Sequence, residues 1–99
     1  MAISTLHISG RRWFDKVNGN TYHSVKIYVD GEFYDEVKFT YGYGDHYIQS
    51  AVYLLDRGGL LPGLIRHEHG GTESLWQYCN RMKIKLVTEV SDVSRKKDL

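Results

Sequence analysis

The chain has 99 residues, of which 41% are hydrophobic and 25% charged, with a formal charge of +1. That length supports one core, burying roughly two-thirds of the unfolded surface without disulfides or metal. So even a charge excludes a domain held to nucleic acid or anionic lipid by bulk electrostatics, and the single cysteine, Cys79, excludes an internal disulfide framework and points to a reducing, cytoplasmic setting.

Met1 to Thr5 lacks the basic segment and apolar run of a signal peptide, and no stretch reaches the roughly 18 apolar residues of a membrane span, so neither export by that route nor insertion is expected. Leu6 and Ile8 alternate with His7 and Ser9, predicting a first strand that passes Gly10, a candidate bulge, into Arg11-Arg12-Trp13-Phe14. Asn18-Gly19-Asn20 is a hairpin-type turn. In Thr21 to Val29 the residues Val25, Ile27 and Val29 share one face and Ser24, Lys26 and Tyr28 the other, the pattern of a half-buried strand. Asp30-Gly31 then turns the chain into Phe33 to Thr40, where Val37 and Phe39 fall on one side and Glu36 and Lys38 on the other. A three-stranded meander follows.

Beyond Gly42 and Gly44 the period changes. Ile48, Ala51, Val52 and Leu55 predict a helix from Asp45, its cap, to about Arg57, with Gly58 or Gly59 ending it. Leu60 to Gly71 reads as a loop whose leucines fold back on the core. Thr72 is placed to cap a second helix running to about Met82, with Leu75, Trp76, Cys79 and Met82 as its buried stripe. Ile84, Leu86, Thr88 and Val90 alternate as a last strand. The expected fold is α+β, in the order βββααβ: an antiparallel sheet, made of the meander plus a C-terminal strand whose own pairing direction the sequence leaves open, with two helices on one face. Val25, Ile27, Val29, Val37 and Phe39 would face Ile48, Val52, Leu55, Leu75 and Cys79. Residues 1–90 form the single domain, and 91–99 a mobile basic tail. The closing Lys96-Lys97-Asp98-Leu99 fits a dilysine retrieval pattern only by coincidence, since such signals act on membrane proteins.

Few residues suggest catalysis. His67 and His69 form an H-x-H pair, but no further ligand stands at a recognised spacing, so no metal site and no cofactor are expected. Cys79 lies on an apolar stripe, where a thiol acts as a small hydrophobe. Asp35 and Glu36 are consecutive in a strand and point to opposite faces, which suits surface charges better than an acid–base pair.

Two segments are better candidates for binding. Tyr41-Gly42-Tyr43-Gly44-Asp45-His46-Tyr47 joins a strand to a helix start, where free amides favour anions and Tyr43, His46 and Tyr47 offer stacking surface, although Asp45 would itself occupy the cap. Arg11 and Trp13 share a strand face, with Tyr22 and His23 on the neighbouring strand, a combination suited to a nucleotide or nucleic acid. A glycine-shaped turn with packed tyrosines accounts for the first segment more simply, and a solvated strand with an interface tryptophan accounts for the second equally well.

Ile8-Ser9-Gly10-Arg11-Arg12-Trp13-Phe14, Gly19-Asn20-Thr21-Tyr22-His23-Ser24, Tyr41 to Tyr47 and Asp92-Val93-Ser94-Arg95-Lys96-Lys97 resemble stretches of small uncharacterised proteins encoded by bacteriophages and prophages. The resemblance brings no catalytic residues with it. It implies a non-enzymatic binder in the host cytoplasm that blocks a host protein, including parts of defence systems, or sequesters a small nucleotide; the residues singled out above, Arg11, Trp13, Tyr22, His23, Tyr43, His46 and Tyr47, are then its candidate contact surface. A homo-oligomer through the same surface is a further candidate. The alternative is an RNA- or DNA-binding module whose phosphate contacts come from Arg11, Arg12, Lys83, Lys85, Arg95, Lys96 and Lys97.

Overall fold

The computed structural model describes residues 3–42, 46–68 and 70–99. Tyr43, Gly44, Asp45 and His69, each given a role above, lie outside the described residues. The elements are β1 (Thr5–Asp15), β2 (Asn20–Val29), β3 (Glu32–Tyr41), α1 (His46–Arg57), α2 (Leu75–Arg81) and β4 (Lys85–Val93), followed by a 3-10 turn at Lys96–Asp98. The order βββααβ is the expected one. Residues 91–93, read above as tail, are the end of β4. No helix among the described residues is long and apolar enough to cross a membrane.

The four strands lie in the order β3-β2-β1-β4. The meander pairs antiparallel as expected, but β1 and β4 run parallel, from Thr5 beside Lys85 to Trp13 beside Val93, so the sheet is mixed rather than antiparallel. The physical reason is the connection. β2 already occupies one edge of β1, and the chain reaches the other edge only through both helices, the long crossover that parallel neighbours require.

Local chemistry sets the turns. Asp30 and Gly31 both take positive φ (51° and 86°), as a two-residue hairpin of the I′ type needs, and the Asp30 carboxylate accepts from the amides of Ser4 and Thr5 at 2.8 Å, tying β1 to the turn. The α1 end is a Schellman motif, in which Leu60 N–H donates to Leu55 O and Gly59 N–H to Asp56 O. α2 starts later than the sequence suggests. Ser74 is its cap, in a capping box with Gln77, whereas Thr72 pairs with Arg66 in an isolated bridge. Ahead of the cap, Glu73 is buried and ion-paired with Arg81, so its carboxylate pKa is held down by that guanidinium. Lys83 closes α2 with a positive φ of 59°, a position that glycine usually takes.

The core lies between the sheet and both helices. Leu6, Ile8, Val25 and Ile27 meet Tyr47, Ala51, Leu54 and Leu55 of α1, Leu75, Tyr78 and Cys79 of α2, and Leu61 and Leu64 of the loop. Each such buried side chain contributes about 1.5–3 kcal/mol. Gly10 is no bulge, since the β1–β2 register runs unbroken past it; a Cβ there would run into the Tyr47 ring. The breaks fall instead in β2–β3, where Lys38 and Phe39 together oppose Ser24 and where Tyr34 is extra. The first break corrects the place given to Phe39, which leaves the core face and is 43% exposed. Two further corrections concern α2: Trp76 and Met82, expected in its buried stripe, are exposed. On α1, Tyr47 and Leu54 take the central positions expected of Ile48 and Val52, which sit at the margin.

Candidate binding surface

Strand alternation and register bring Arg11, Trp13, Tyr22 and Tyr41 to the sheet face opposite the helices. Tyr22 is the centre of an aromatic cluster. It stacks on Phe39 at 4.7 Å and on Trp13 at 5.9 Å, and meets Tyr41 edge-on at 5.9 Å. Phe39 belongs there because of the bulge. The 3-10 turn closes onto one side of the cluster: the Lys96 ammonium lies 4.7 Å over the Phe39 ring, and Arg11 donates to Asp98 O at 3.0 Å.

A second aromatic group stands at the other end of this face. Tyr28 contacts His7 at 5.6 Å and the exposed Phe33 at 5.9 Å, while Ser9 donates to Glu89 at 2.9 Å. Between the two groups charges alternate in sign, with Lys26 paired opposite Glu36 across β2–β3. The face is thus aromatic at both ends and electrically mixed in the middle.

The other residues singled out in the sequence are spread over the molecule. His23 shares a strand with Tyr22 but points to the helix side, where it is 2% exposed, so Arg11, Trp13 and His23 do not form one surface. Tyr47 is core. His23 and His46 line a cleft of about 390 Å³ with Tyr41, Gln49, Ser50 and Tyr53, the concave feature beside the Tyr41–Tyr47 segment. Arg12 also faces the helix side and pairs with Asp92 of β4 at 2.9 Å. Lys83 and Lys85 sit at the α2–β4 corner, and Arg95 pairs with Asp98 at 3.1 Å. Of the basic residues in the nucleic-acid reading, Arg12 thus lies on the helix side, away from Arg11, Lys85 and Lys96 on the open face. His67 is exposed in the loop, and among the described residues no group of three or more His, Cys, Asp or Glu is arranged to hold a metal. Burial pushes the Cys79 thiol up to about 11, which leaves it protonated and inert.

His23 is a titratable group in the wall of that cleft. Its Nε2 meets Ser50 Oγ at 2.8 Å and its Nδ1 the Gly42 carbonyl at 3.3 Å. Burial lowers its pKa; the Gly42 bond partly opposes this, and nearby His46 adds to it. The folded state therefore resists protonation more than the unfolded chain does. Stability is complete above the ordinary imidazole value of about 6.5 and falls as pH drops below it toward the lowered folded value. Thermal melts across this range should show that loss, and His23→Gln should flatten it.

A larger groove of about 740 Å³ runs between α1 and the α2 start, from Ile48, Val52 and Tyr53 to Leu75 and the exposed Trp76. The sequence pattern does not reveal it, because Trp76 falls at helical spacing with true core residues. No family model, curated protein or solved structure matches the chain.

Proposed function

We propose that this chain is a non-enzymatic binding protein of the phage type that docks on a host protein through the aromatic end of its open sheet face. The observation carrying this reading is the Tyr22-centred cluster, with Phe39 and Tyr41 exposed on the sheet face opposite α1 and α2. Interface centres favour Tyr, Trp and Arg, and rigid rings supply contact area at low entropic cost. The face is broad and shallow, which suits a protein better than a small nucleotide, whose sites are enclosed. Glu36, Glu89 and Asp15 near Arg11, Lys26 and Lys96 weaken the case for a polyanion. Host cytoplasm as its place agrees with a single, buried cysteine.

The test is affinity capture from host lysate with wild-type and Tyr22→Ala baits, followed by binding measurements on the captured partner. A protein partner retained after nuclease treatment, and weakened by about 30-fold or more in Tyr22→Ala, the effect of a hot spot worth 2 kcal/mol, is the expected result. Capture lost to nuclease and falling steeply with salt would instead identify a nucleic-acid module. A nucleotide found by native mass spectrometry, and lost in His46→Ala, would move the function to the 390 Å³ cleft.

A further inference from the structure

The two outer edges of the sheet differ. β3 carries both register breaks and the charged Asp35, Glu36 and Lys38, features that blunt an edge. β4 has charges of its own, Lys85, Glu89 and Asp92, but no register break. Its nine residues pair with β1 in unbroken register and include no proline or glycine. Its outer side offers a row of amides and carbonyls able to pair with another strand.

One hydrogen bond settles which groups face outward. Lys85 donates its amide to Ser4 O at 2.9 Å, so Lys85, Val87 and Glu89 direct their main chain toward β1, and Leu86, Thr88 and Val90 direct theirs away from it. The side chains of Lys85, Val87 and Glu89 stand on the open face, while Leu86 and Val90 pack toward the helices.

We infer that the chain forms a symmetric dimer in which β4 of one copy pairs antiparallel with β4 of a second, on a two-fold axis through Val87. In this register Val87, 38% exposed in the single chain, faces its own copy as a non-hydrogen-bonded pair, where side chains approach most closely. Lys85 of each copy faces Glu89 of the other. Leu86 of each exchanges main-chain hydrogen bonds with Thr88 of the other. Moving the axis by one residue either way sets Val87 against Lys85 or against Glu89, and moving it to Glu89 sets like charges together. The charge pattern of β4 is thus self-complementary in one register. Beside this edge, a groove of about 550 Å³ lined by Trp76, Cys79, Ile84 and Leu86 offers apolar room for the helix layer of the second copy. The two-fold axis would set both aromatic faces on the same side of one continuous sheet.

Sedimentation equilibrium of the full chain over a concentration series tests this directly. The expected mass is twice the 11.5 kDa of one chain, and Val87→Lys, which puts like charges on the axis, should return it to 11.5 kDa with an unchanged far-UV spectrum. Should that variant misfold, Lys85→Glu alone should dissociate the dimer, and adding Glu89→Lys should restore it. Mild oxidation should link Val87→Cys chains into a covalent dimer and leave Ser91→Cys chains single. A wild-type chain that stays at 11.5 kDa throughout, or a dimer whose Val87→Cys form remains unlinked, overturns the inference. Neither result bears on the aromatic face, whose test uses a different partner and a different variant.

Discussion

Replacing Gly10 with alanine should destabilise the protein by about 1–3 kcal/mol, the usual cost of overfilling a packed core. A methyl group on β1 at this point would sit inside the contact distance of the Tyr47 ring and close to its Cβ. Tyr47 is 4% exposed in the first turn of α1, so it cannot swing into solvent without lifting the start of the helix off the sheet. The melting temperature should fall by roughly 4–8 °C for each kcal/mol in a domain of this size. The cause is separable from strand propensity: in a Tyr47→Ala background the same Gly10→Ala change should cost much less, and a double-mutant cycle should show the coupling. Additive effects would mean that the ring is not what Gly10 accommodates.

Tyr78→Ala should cost more, about 3–5 kcal/mol, as loss of a large buried ring does. Tyr78 is 1% exposed and sits in α2, a helix of seven residues that is too short to persist without packing. Its hydroxyl donates to Pro62 O at 2.8 Å and so pins the long loop to the helix, and Arg81 lies 5.5 Å over its ring. Tyr78→Phe keeps the ring and removes only the hydroxyl, for an expected loss of about 1 kcal/mol. Denaturant melts of the two variants separate these contributions. A small effect in Tyr78→Ala would show that Leu61, Leu64, Leu75, Cys79 and the Glu73–Arg81 pair suffice to hold α2 and the loop.

Element order was readable from the sequence because hydrophobic period and turn chemistry are local. Val25, Ile27 and Val29, Asp30-Gly31 and the glycines after Arg57 all did what their neighbours imply. The misreadings at Phe39 and β4 have one cause, which is that each depends on contacts between distant segments. The bulge that turns Phe39 outward exists only once β3 lies beside β2. The direction of β4 depends on which edge of β1 is left open, and a strand's own alternation is the same in either direction. Ser74 displaced Thr72 as the α2 cap because Arg66 claimed Thr72 as a bridge partner and Arg81 claimed Glu73 ahead of the helix. The candidate site shared this fate. Arg11, Trp13 and Tyr22 came together by register, as alternation predicts, but His23 followed the same alternation to the other side, and Trp76 and Phe39 were missed for being apolar at core-like spacing.

The parallel pairing of β1 with β4 also bears on how the molecule is made. Ser9 bonds to Glu89 across 80 residues of sequence, so the second edge of β1 is closed by the strand that lies farthest from it along the sheet-forming chain. Until β4 docks, β1 is paired with β2 alone, and joining the two strands carries the loop-closure cost of that separation. Closure of the sheet is thereby a long-range event: a copy in which β4 has not docked keeps an open strand edge along β1.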